Sequence, residues 1–132
     1  MTVVDSSGWL EYFVDGPLAE AFAPYLADPT GIVTPTLVLF EIYKIVRRER
    51  GEEQALVAAA QIQKTRLVPL GAGLALEAAD LSLEHHLAIA DSVVYATAIS
   101  EECDLVTSDR DFEGLPGVIF LPKRGGSPLG RR

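Results

Sequence analysis

Apolar residues fall into two kinds of block along this chain. Short apolar runs bounded by polar or turn-forming residues read as buried strands. They are Thr2-Val3-Val4, Ile32-Val33, Arg66-Leu67-Val68-Pro69, Leu105-Val106-Thr107 and Val118-Ile119-Phe120-Leu121. Longer stretches with helical spacing lie between them. Ser6 or Ser7 can cap a short helix carrying Trp9, Leu10, Tyr12 and Phe13. Pro17 suits the first position of a helix over Leu18 to Ala27, which Pro24 should kink or delay. Thr34-Pro35-Thr36 starts a helix that runs from Leu37 to about Arg50, with Gly51 placed to end it. Further helices cover Glu52 to Lys64, Leu74 to Leu83, and Val93 to Ile99. Turns mark Asp28–Gly31, Glu101–Asp104 and Pro116-Gly117.

Strands alternating with helices predict an α/β fold, a parallel sheet covered by helices on both faces. In such a fold each helix runs antiparallel to the strands. The start of a helix and the end of a strand therefore share one sheet edge, where open α/β sheets bind ligands. Asp5 ends the first strand, Asp109 follows the fourth, Asp91 precedes the Val93–Ile99 helix, and Glu41 lies in the first two turns of its own helix. Four segments thus deliver carboxylates to one edge.

Each acid has an ordinary reading too. Asp5 can cap the next helix, Asp91 can complement a helix dipole, and Asp109 and Asp111 fit a turn, the preferred reading for Asp111. Glu41 is harder to place, because Val38, Leu39, Phe40, Ile42, Tyr43 and Ile45 make its helix apolar nearly all round. A buried carboxylate needs a partner. Lys44 at i+3 offers one, in a pair worth only a few tenths of a kcal/mol. Gathered together, four carboxylates repel unless cations offset them. An oxygen-only donor set suits Mg²⁺ or Mn²⁺, and a pair of such ions suits phosphodiester hydrolysis by an activated water.

The chain has 132 residues, a single cysteine and no apolar run long enough to span a bilayer, which predicts one cytoplasmic domain. Its net charge of −8 is uneven. Residues 122–132 form a Gly/Pro-rich basic tail with four basic residues and no acid. Residues 1–121 hold seven basic and nineteen acidic residues, a net of −12, which repels nucleic acid at long range. Lys44, Arg47, Arg48 and Arg50 are the one basic cluster of that body, either a solvated helix face or a path for phosphates toward the acids. His85-His86 reads as a solvated pair and Cys103, beside Glu101, Glu102 and Asp104, as inert. Trp9, Tyr12, Phe13, Phe22 and Tyr25 read mostly as core, with some free to form a groove for a partner helix.

The stretches D-S-S at residues 5–7, the helix-borne Glu41, A-x-A-D-S-x-V-Y-A-T-A at 88–98 and L-V-T-S-D-R-D-F at 105–112 together resemble the PIN domain, specifically the VapC toxins of toxin–antitoxin pairs. The resemblance runs from Val3 to about Leu121. It implies a three-layer α/β/α PIN-like nuclease domain over residues 1–121, with a central parallel sheet of four to five strands. It implies a Mg²⁺-dependent endoribonuclease, with Mn²⁺ able to substitute, that acts as the toxin of a type II pair. A cognate VapB-like antitoxin would restrain it, and it would form a homodimer. Family catalytic and metal positions map onto Asp5, Glu41, Asp91 and Asp109, supporting hydroxyls onto Ser6 and Thr107, and a further acid onto Asp111. The basic tail has no family counterpart. A PIN-like RNA-binding or RNA-processing module outside a toxin–antitoxin pair is one alternative. A metal-dependent phosphatase is another, disfavoured because Asp5-Ser6-Ser7 lacks the second acid of a D-x-D motif. A receiver also lacks its acid pair, with Lys123 a weak candidate for its lysine.

Overall fold

All five apolar runs are strands, and all pair in parallel. The computed structural model describes residues 1–123. The strands are β1 (Thr2–Val4), β2 (Ile32–Pro35), β3 (Arg66–Val68), β4 (Asp104–Thr107) and β5 (Val118–Phe120), in the sheet order β3-β2-β1-β4-β5. Val3 and Val4 pair with Leu105 and Val106 on one side, and Thr2 and Val3 with Ile32 and Val33 on the other. These residues are at most 1% exposed where they form the centre, which explains their unbroken apolar runs: helices cover both faces.

The helices are α1 (Ser6–Phe13), α2 (Ala19–Leu26), α3 (Thr36–Arg50), α4 (Glu52–Ile62), α5 (Ala72–His85) and α6 (Ile89–Ser100). Connections from β1 to β2 and from β2 to β3 step one way along the sheet. The connection from β3 through α5 and α6 to β4 steps the other way. Right-handed crossovers therefore put α1–α4 on one face and α5–α6 on the other, in three layers. Strand order reverses between β1 and β4, which makes their C-terminal ends the switch point of the sheet. No helix among the described residues is long and apolar enough to cross a membrane.

The structure refines four local readings. Thr34-Pro35-Thr36 does lead into α3, with Pro35 its N-cap and Thr36 its first residue, but Thr34 and Pro35 also extend β2, Thr34 being buried and hydrogen-bonded to Thr65 at 2.7 Å. Pro17 is not the first residue of α2, which starts at Ala19; the Glu11 carboxylate accepts the Leu18 amide at 2.7 Å just before it. Pro24 lies inside α2, and burial of Phe22 and Leu26 holds the helix through it. Asp91 does not precede its helix but sits in its first turn, because α6 begins at Ile89. Residues 124–132, most of the basic tail, lie outside the described residues.

Candidate functional site

Asp5 follows β1 and is the N-cap of α1, its carboxylate accepting the Ser7 amide. The Thr107 hydroxyl at the end of β4 donates to its other oxygen at 2.5 Å. At 5% exposure the carboxyl is pushed above its ordinary value by burial, against these hydrogen bonds, with the Asp109 charge adding to the rise. Thr107 also accepts the Asp109 amide at 2.9 Å, so one hydroxyl ties together the acids that follow β1 and β4.

Glu41 lies in the second turn of α3, half-buried, and burial raises it, opposed by the Ser6 hydroxyl and reinforced by the Asp5 charge. Lys44 is not its partner. Its Nζ lies over the Phe40 ring, 5.7 Å from the centroid. Asp91 is no cap, since Ala88 is the N-cap residue of α6 and makes no side-chain capping bond. It is pushed up to about 7, first by burial and then by the charges of Asp109, Asp5, Asp111 and Glu41.

Asp109 accepts the Asp111 amide at 2.9 Å and so caps the 3-10 turn Arg110–Phe112. That turn carries Asp111 back toward α6. One carboxylate oxygen from each of Asp91, Asp109 and Asp111 lies within 4.8 Å of the others. The turn reading of Asp111 was right about its backbone and incomplete about its side chain. Asp5 and Glu41 border this trio, close enough for their charges to raise Asp91. Among the described residues, none of the five acids forms an ion pair.

Arg47 and Arg48 are about 9–10 Å beyond Glu41 along the helix axis, at the end remote from the sheet's C-terminal edge. Arg48 pairs with its neighbour Glu49 in solvent. Arg110 and Lys123 line a cleft with Asp109, Ser7 and Ser108. Of these, sequence reasoning weighed Lys123 only as a receiver lysine and Ser7 only as a cap, and gave Ser108 and Arg110 no role of their own. A serine in a turn carries no signal until the fold shows its surroundings. His85 and His86 stay outside the site. His85 packs edge-on against Tyr95 at 5.7 Å, and His86 ends α5 in a left-handed conformation. Burial raises the Cys103 thiol, consistent with an inert side chain.

The donor chemistry fits a hard divalent cation. Carboxylate oxygens are the ligands Mg²⁺ and Mn²⁺ prefer, and a cation would relieve the repulsion that raises Asp91.

Among solved structures the fold is similar to a toxin–antitoxin complex from Klebsiella pneumoniae, with a TM-score of 0.76 and 20% identity over 90% of this chain and 96% of that one. It is similar to VapC20 of Mycobacterium tuberculosis, a sarcin–ricin loop cleaving toxin, at 0.74 and 20% over 94% and 99%. It is also similar to DNA-bound VapBC from Salmonella typhimurium, at 0.70 and 17% over 92% and 98%. No curated protein sequence matches the chain significantly. The family model of the PIN domain matches residues 2–118, and the protein belongs to that family.

Proposed function

We propose that the protein is a VapC-type toxin, a metal-dependent endoribonuclease acting in the cytoplasm. The observation that carries this reading is the meeting of Asp5, Glu41, Asp91 and Asp109 at the switch point, where the other acids together raise Asp91. Asp91, Asp109 and Asp111 would hold the cation, with Asp5 and Glu41 completing the acidic wall. A bound Mg²⁺ or Mn²⁺ supplies Lewis-acid stabilisation of phosphoryl charge and lowers the pKa of water. The chain's part is positioning. Thr107 holds Asp5 and the Asp109 amide, and Asp109 holds the turn that presents Asp111.

The test is incubation of purified protein with total cellular RNA under EDTA, Mg²⁺ and Mn²⁺, with cleavage ends mapped by sequencing. Discrete cuts with either metal and none with EDTA are expected. Intact RNA under every condition, with hydrolysis of a simple phosphate monoester instead, would leave a phosphatase.

Two apolar surfaces suit the partners of this reading. The buried Trp9 and Phe22 are core, so the aromatic helices α1 and α2 offer less groove than their sequence promised. A groove of about 380 Å³ lies instead between α3 and α4, lined by Leu39, Phe40, Tyr43 and Leu56, with Phe40 59% exposed. It would take an apolar antitoxin segment. A second cleft of about 450 Å³ between α5 and α6, where Leu83 and Ile89 are exposed, would take another copy of the chain. Light scattering of the purified protein, with and without the product of an adjacent reading frame, distinguishes a monomer from these assemblies.

A further inference from the structure

The acid cluster shares a wall with a cleft of about 320 Å³ lined by Ser7, Ser108, Asp109, Arg110 and Lys123. Ser108 is 3% exposed, and its Oγ has no hydrogen-bond partner among the described residues. A buried hydroxyl left unpaired is costly, and native proteins rarely keep one without a reason. The Ser7 Oγ accepts the Ser108 amide at 3.3 Å and its own hydroxyl is engaged with the Asp5 carboxylate, so Ser7 positions Ser108 and leaves the Ser108 hydroxyl as the uncommitted one. Arg110 and Lys123 add two positive charges on the same wall, in a body with a net charge of −12. Arg110 also meets Glu113 at 3.6 Å, but that pair is exposed and exchanges readily in water.

One unpaired hydroxyl and two cations form a donor set with one natural complement, an anion that only accepts. A phosphodiester is such a group, and serine hydroxyls and Arg or Lys are usual donors to phosphate. The carboxylates alone would repel an RNA strand, so a strand needs a cationic hold beside them.

We propose that this cleft binds a non-reacting phosphate of a single-stranded RNA, adjacent to the phosphate that is cut, through Ser108, Arg110 and Lys123. The proposal rests on the nuclease reading and adds the strand's course: past the acid cluster and along the ends of β4 and β5, where Asp109 and Lys123 stand.

The test uses Asp91→Asn protein as a non-cleaving parent, with a short fluorescent single-stranded RNA and anisotropy at several salt concentrations. Adding Arg110→Gln and Lys123→Gln should weaken binding about tenfold and lower the salt slope by about 0.7, the contribution of one single-strand phosphate. Adding Ser108→Ala should weaken binding several-fold while the melting temperature holds or rises, because the hydroxyl has no partner to lose. With Asp91 restored, the same changes should raise KM and leave kcat nearly unaltered. Unchanged affinity and slope, in a protein that still cuts RNA, would overturn the subsite and leave the nuclease reading standing. So would a Ser108→Ala variant that melts lower but binds normally, or a double variant weakened only toward the antitoxin. A wild type that neither cuts RNA nor binds it as the parent would overturn both readings together.

Discussion

Burial and four neighbouring acids push Asp91 from an ordinary 3.8 to about 7, and Asp5 and Glu41 are raised as well. Between pH 4 and 7 the metal-free folded protein then binds more protons than the unfolded chain. Stability must fall as pH rises through that window and level off above it. Thermal melts without metal should show a higher midpoint at pH 5 than at pH 8. Asp91→Asn should flatten that difference and be no less stable at pH 8, while cleaving RNA at least about a hundredfold more slowly, as expected for a metal ligand. Near wild-type cleavage by this variant would remove Asp91 from the site. Thr107→Val should act differently. It leaves a buried Asp5 oxygen and the Asp109 amide without their partner and should cost about 1–3 kcal/mol in urea unfolding, with activity reduced. No loss of stability would show that water replaces the hydroxyl. Asp5, Glu41, Asp91 and Asp109 were legible in the sequence because each stands at a strand end or near a helix start. Ser108 was not, because being buried and unpaired is a property of the fold and leaves no mark on residue type.

At the scale of elements, α1 lies so close to β1 that position 8 has no room for a side chain. A Cβ on Gly8 would come within 2.5 Å of Phe22 Cε1 and 2.6 Å of Val4 Cγ1. Alanine gains up to about 1 kcal/mol of helix propensity there, but overpacking costs about 1–3 kcal/mol. Gly8→Ala should therefore be net destabilising, read as a lower urea midpoint with an unchanged slope, and a midpoint equal to wild type would mean that Phe22 moves aside freely. The strands were readable because burial on both faces makes them continuous apolar runs. Helix ends were harder. Ala88 gives no capping signal, so α6 was placed too late, and Gly71 likewise hides the start of α5. Pro35 reads as a helix start and is the N-cap of α3, but it is also the last residue of β2, paired with Val68.

For the whole molecule, a cation bound only by the folded state adds stability as the logarithm of its concentration, about 2.7 kcal/mol at a hundredfold excess over Kd. Mn²⁺ should raise the melting temperature at pH 8 more than at pH 5, since protons compete for the same carboxylates. Equal midpoints with Mn²⁺ and with EDTA at pH 8 would contradict a metal site. Sheet topology at this scale was partly legible: the alternation of elements implies parallel pairing. The order of strands does not follow from it, because the pairing of β1 with β4 depends on contacts that no local pattern encodes.

That pairing also orders the protein in time. The Asp5–Thr107 hydrogen bond joins positions 102 residues apart. A growing chain carries Asp5 from the outset but cannot complete the acidic wall until β4 has emerged. Until then β1 has β2 on one side and an open edge on the other, where backbone groups invite foreign strands. Contacts between such distant residues also slow folding. On the nuclease reading, the chain cannot cut RNA for most of its synthesis, and a fragment that stops before β4 should be inactive and prone to aggregate.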